Sequence, residues 1–83
     1  MRAAHGWTER TPEGEKREIR VERRDGVWRF QSKLTADEKW TYHEYPPRTD
    51  LEAFHELLLR KYRRSRVSHD DVRLAERMLA ELL

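Results

Sequence analysis

The densest chemistry in the sequence is Arg60-Lys61-Tyr62-Arg63-Arg64-Ser65-Arg66, five cations and one aromatic within seven residues. A cluster of this kind neutralises phosphates and releases their condensed counterions, which is the sequence-independent part of nucleic-acid affinity. Part of it has an ordinary use. Cations in the last turns of a helix offset the helix dipole, and Glu56 stands four residues before Arg60 as a surface pair. Five positive charges exceed what a helix end requires, so Arg60, Lys61, Arg63, Arg64 and Arg66 are the first candidates for phosphate contact.

Other constellations carry less. Arg20, Arg24, Arg29 and Lys33 alternate on what is read below as one face of a hairpin, with His43 and Tyr45 expected beside them and Glu18 and Glu22 interleaved. A sheet can enter a nucleic-acid groove, which makes Arg29 and Lys33 secondary candidates, although Glu22 opposite Arg29 is also a common cross-strand pair. Ser68-His69-Asp70 contains the residue types of a nucleophilic triad, but consecutive side chains at a helix start diverge, and capping explains them. Glu52-x-x-His55 has the spacing of a helical carboxylate–histidine metal pair in a single copy. With no glycine-rich phosphate loop either, the expectation is a non-catalytic protein without metal, cofactor or evident small-molecule substrate.

Composition narrows the class. The chain has 83 residues, 36 % hydrophobic and 41 % charged, and 18 basic side chains against 16 acidic ones leave a net charge of +2. That balance does not demand a polyanion, so any such partner depends on where the charges lie. Cysteine is absent, which removes disulfides and thiolate metal sites and suits a reducing compartment. The longest apolar run, Leu57-Leu58-Leu59, is far below a membrane span, and Met1 to Gly6 lead into no signal-peptide core. A soluble, cytoplasmic protein is expected.

These residues need a scaffold, and the clearest part of it runs from Ile19 to Phe30. Asp25-Gly26 suits a type I′ turn, whose two central residues take positive φ. Such a turn sets Val21 opposite Phe30 and Arg23 opposite Trp28, with Ile19, Val21, Trp28, Phe30 and Leu34 on one face and Arg20, Glu22, Arg24, Arg29, Gln31 and Lys33 on the other. Upstream, Pro12-Glu13-Gly14 reads as a three-residue loop that places Trp7 opposite Ile19 in a short strand over residues 7–11, preceded by a flexible segment 1–6. Downstream, a loop over 35–37 and a strand over 39–45 pair Ser32 with Trp40 and Phe30 with Tyr42, bringing both aromatics to the core face. Pro46-Pro47 ends the sheet.

Thr49-Asp50-Leu51-Glu52 matches a capping box opening a helix over about 50–65, with Leu51, Phe54, Leu58 and Tyr62 as its apolar stripe. Ser68 caps a second helix over about 69–82. Its apolar set (Val72, Leu74, Ala75, Met78, Leu79, Leu82, Leu83) is wider than the roughly 100° stripe of a surface helix. Leu74, Met78, Leu82 and Leu83 are therefore candidates for a protein partner or a homodimer contact.

The expected architecture is α+β: an antiparallel meander of three or four strands with a C-terminal antiparallel helical hairpin packed on one face, forming one domain over residues 7–83. Over residues 19–65 the element order resembles that of the three-stranded sheet-plus-helix DNA-binding domains of phage integrases. Gly6-Trp7-Thr8-Glu9-Arg10-Thr11 is similar to the opening of a WW domain, with Trp28 at the spacing of its second Trp. The tyrosine cluster between them is missing and Pro46-Pro47 come too late, so Trp7 is assigned to the core. The sequence thus points to a small nucleic-acid-binding module, with a protein-interaction module as the alternative.

Overall fold

A computed structural model of the chain describes residues 4–82. It contains a four-stranded antiparallel sheet followed by two helices, an α+β arrangement. The fold comprises two compact units, one ending at Tyr45 and the other beginning at Pro46. Among the described residues no helix is long and apolar enough to cross a membrane.

The sheet unit is a simple meander in the order β1 (Ala4–Arg10), β2 (Lys16–Arg24), β3 (Val27–Leu34), β4 (Thr41–His43). Asp25 and Gly26 adopt φ of 51° and 76°, the two left-handed positions of the β2–β3 turn. The register follows from that turn, with Val21 opposite Phe30 and Arg23 opposite Trp28. Gly14, at φ 88°, closes the β1–β2 loop, and Thr11 and Glu15 join its ends through backbone and side-chain hydrogen bonds. Trp7 pairs with Ile19, as its spacing predicts. Ile19, Val21, Trp28 and Phe30 are almost fully buried, each stabilising the fold by about 1.5–3 kcal/mol.

Two boundaries differ from the sequence reading. Strand β1 begins at Ala4, inside the segment expected to be flexible; residues 1–3 of that segment lie outside the described residues. Its extension has a local cause, because His5 pairs with Val21 and sets its ring edge-on to Trp28 at 5.5 Å. Strand β4 is shorter than the expected 39–45, and its register is displaced by one residue. Phe30 faces His43, Gln31 faces Tyr42 and Ser32 faces Thr41. Because the side-chain period is two, this displacement sends Trp40 and Tyr42 to the charged face and brings His43 to the apolar one.

The reason for the register is polar. Ser32 is buried on the apolar face, and its Oγ lies 2.6 Å from His43 Nε2. The expected register would place Tyr42 opposite Phe30 and cost Ser32 its bond to His43, about 0.5–1.5 kcal/mol, leaving Arg17 as its partner. Trp40 meanwhile finds cations on the other face, where the Arg20 guanidinium lies 4.6 Å and Lys33 Nζ 5.5 Å from its ring centroid.

The helical unit consists of α1 (Arg48–Arg63) and α2 (His69–Ala80). Tyr62 meets His69 beside their connection, and His55 Nε2 meets Glu76 Oε2 at 3.1 Å about two turns away, so the helices run antiparallel. Leu51, Phe54 and Leu58 of α1, and Val72, Leu74 and Ala75 of α2, are buried. The expected capping box at Thr49 does not form. Pro47 occupies the N-cap at φ −57° and ψ 146°, and its carbonyl accepts from Leu51 N at 3.1 Å. Tyr45 and Pro46 each precede a proline and are disfavoured in helical geometry, and with Pro47 extended as the N-cap the helix opens at Arg48. Glu52 pairs with Arg48 at 3.4 Å instead of reaching back to Thr49. Helix α2 opens as expected, on a reciprocal capping box between Ser68 and Asp71.

Helix α1 ends in a Schellman arrangement, with Arg66 N donating to Lys61 O at 2.8 Å and Ser65 N to Tyr62 O at 2.9 Å. Ser65 carries the left-handed residue of this motif at φ 58°, a position that favours glycine. Ser65→Gly is expected to raise stability by about 0.5–1 kcal/mol, and Ser68→Ala to lower it by about 1 kcal/mol. Urea denaturation of both variants checks the two signs.

Candidate functional site

The basic cluster is assembled by the end of α1. Helical spacing sets Arg60, Lys61 and Arg64 on neighbouring positions of one side, one turn beyond Leu57. The left-handed Ser65 then reverses the chain, and the Arg66–Lys61 backbone bond returns Arg66 to the same side. Arg60, Lys61, Arg64 and Arg66 thereby surround one surface hollow lined by Leu57. Arg63 lies outside the hollow lining. Arg60 has a loose ion pair with Glu56, 3.9 Å between exposed groups, a contact worth little in water. Among the described residues Arg64 and Arg66 have no ion-pair partner. The Lys61 ammonium is held below its ordinary pKa, first by partial burial and then by the charge of Arg66. Both causes disfavour the charged form of Lys61, and an incoming anion offsets the second.

The two sheet candidates belong to a different surface. Arg29 and Lys33 project from the charged face of β3, with Gln31 between them. Lys33 is engaged within the protein: Nζ lies 3.8 Å from Glu18 Oε2, donates to Asp37 O at 3.1 Å and sits over Trp40. Arg29 faces Glu22 and lines a second hollow with Arg24, Asp25, Gln31 and Tyr42. On this face β2 alternates Lys16, Glu18, Arg20, Glu22 and Arg24, and β3 adds Arg29 and Lys33. Strand β1 contributes the small Ala4, Gly6 and Thr8 before Arg10. The strands thus carry six cations against two carboxylates on this face, with Asp25 of the turn as a third carboxylate beside them, so cations remain in excess.

Tyr42 is the residue on this face that sequence reasoning missed. Tyr42 is 76 % exposed, whereas the expected register would have placed it on the core face. Tyr45, expected on the same face, lies beyond β4 and is exposed. His43 was expected outside and is inside, where it ends a polar chain across the four strands. Glu9 Oε1 accepts from Arg17 Nη1 at 2.8 Å, Arg17 Nη2 donates to Ser32 Oγ at 3.2 Å, and Ser32 bonds His43. A serine within an otherwise apolar alternation was the available signal, since a buried hydroxyl requires a partner from the next strand.

The remaining candidates have structural uses. His55 is paired with Glu76 and Glu52 with Arg48, and among the described residues no three His, Asp or Glu side chains are grouped to hold a metal ion. Ser68 caps α2, and the His69 ring lies 5.9 Å from that of Tyr62. The apolar edge of α2 changes character. Leu74 was expected to be available to a partner but is only 6 % exposed, because the helix turns it to the buried side with Val72 and Ala75. Met78 is half-buried, Leu82 is 44 % exposed, and Leu83 lies outside the described residues.

Ser32→Ala separates the structural polar chain from the exposed faces. It is expected to lower stability by about 1–3 kcal/mol by depriving His43 and Arg17 of a buried partner, whereas Tyr42→Ala should stay within about 0.5 kcal/mol of the parent. Urea denaturation of both variants checks this contrast. No protein-family model, curated protein or solved structure matches this chain.

Proposed function

We propose that the protein is a small, non-catalytic, cytoplasmic module that binds nucleic acid through its phosphates at the end of α1. The observation that carries this reading is the convergence of Arg60, Lys61, Arg64 and Arg66 around one hollow. A helix end needs neither four cations on one side nor a chain reversal that adds Arg66 to them. Guanidinium groups offer paired N–H donors matched to phosphate oxygens, and their charge displaces counterions from the polyanion. Leu57 adds an apolar side chain to the lining of the same hollow. Arg29, on the cationic sheet face, is a second point of contact.

This site reads charge and not sequence. Affinity for RNA and DNA should fall steeply between about 50 and about 200 mM salt. Arg64→Ala combined with Arg66→Ala should weaken all sequences alike. The logarithmic salt dependence should also become shallower by about 0.7–0.9 per phosphate contact removed. Anisotropy titrations of labelled oligonucleotides at two salt concentrations measure both effects, and absence of binding at low salt overturns the proposal.

A further inference from the structure

We infer that the charged face of the sheet is a stacking platform for single-stranded nucleic acid, with one base received on Tyr42 beside Gln31 and Arg29. The inference rests on the nucleic-acid reading above and adds to it a substrate class and a second surface. Three observations on the sheet unit support it. Tyr42 holds a phenol ring in solvent from within a β-strand, opposite Gln31, and borders a hollow with Arg29 and Gln31. Its exposure follows from the β4 register, which the buried Ser32–His43 bond maintains. Beside it, Trp40 is held by Arg20 and Lys33. Finally, the face has an excess of cations, and the small β1 residues Ala4, Gly6 and Thr8 raise no wall along one side.

The chemistry selects a single strand over a duplex. An exposed ring on a sheet gains from stacking with an unstacked base, an interaction tolerant of sequence, and a duplex keeps its bases stacked inside. The two carboxylates in the hollow, Glu22 and Asp25, repel phosphate oxygens but accept hydrogen bonds from exocyclic amino groups. The Gln31 amide donates and accepts, as a base edge requires. Arg20, Arg24 and Arg29 then accompany the backbone of a strand laid across the sheet. Cations and an exposed aromatic interleaved in this way complement a polyanion that also presents flat π faces.

The test compares a single-stranded oligonucleotide with the duplex of the same sequence, using the full chain and its Tyr42→Ala, Tyr42→Phe and Arg64→Ala/Arg66→Ala variants. Single strands should bind more tightly than duplex. Tyr42→Ala should weaken single-strand binding by about five- to a hundred-fold, the effect of one lost base stack, with an unchanged salt dependence and unchanged duplex affinity. Tyr42→Phe should restore the affinity. Wild-type affinity of Tyr42→Ala for single strands, or tighter binding to duplex, overturns the platform. If that result accompanies salt-dependent binding sensitive to Arg64 and Arg66, the α1 site stands alone. Absence of binding to any nucleic acid at low salt removes both.

Discussion

Positive φ at two successive residues, Asp25 and Gly26, is the constraint on which the sheet depends. A two-residue turn of this kind leaves no freedom in the pairing of β2 with β3. Every assignment of a β2 or β3 side chain to a face inherits that parity. Ile19, Val21, Trp28 and Phe30 can be buried together only because the turn aligns them, and the same alignment gathers Arg20, Arg24, Arg29 and Lys33 on the opposite face. Separation of an apolar face from a cationic one is thus a consequence of backbone geometry at the hairpin tip, propagated by the period of two.

The outer strand β4 is governed by another interaction. A three-residue strand contributes few ladder bonds, so its register is decided by side chains. The competition was between burying the apolar surface of two aromatic rings and satisfying one buried hydroxyl. Ser32 stands at the end of a polar chain that also engages Arg17 and Glu9, and His43 completes it. Trp40 recovers part of its burial from the Arg20 and Lys33 side chains lying over it, and this lowers the cost of leaving the apolar face. The price is an exposed Tyr42, the feature from which the stacking proposal starts.

In the helical unit the strained point and the charged point coincide. Ser65 adopts a left-handed conformation unfavourable for a side-chain-bearing residue, and the reversal it makes brings Arg66 back against Lys61. Stability alone favours a glycine and an apolar pair at these places. A serine under strain, with two cations where an apolar contact commonly forms, is a local conflict of the kind found at functional sites. The basic hollow is therefore a product of how the helix ends, in addition to how many cations it contains.

Much of this was legible in the residues themselves. The element order, the Asp25-Gly26 turn, the Gly14 loop, the pairing of Trp7 with Ile19 and the Ser68 cap all follow from local signals, because a turn residue with positive φ or a capping hydroxyl acts within a few positions of itself. The charge cluster over residues 60–66 was equally visible. Its geometry was not, since the return of Arg66 depends on the conformation of Ser65 and no glycine announces it. The start of α1 was misread because Thr-x-x-Glu matches a cap that Pro47 makes unnecessary. The face occupied by Trp40, Tyr42 and His43 was decided by tertiary structure alone. Alternation assigns a face only once the register is known, and here the register follows from a hydrogen bond between residues eleven positions apart.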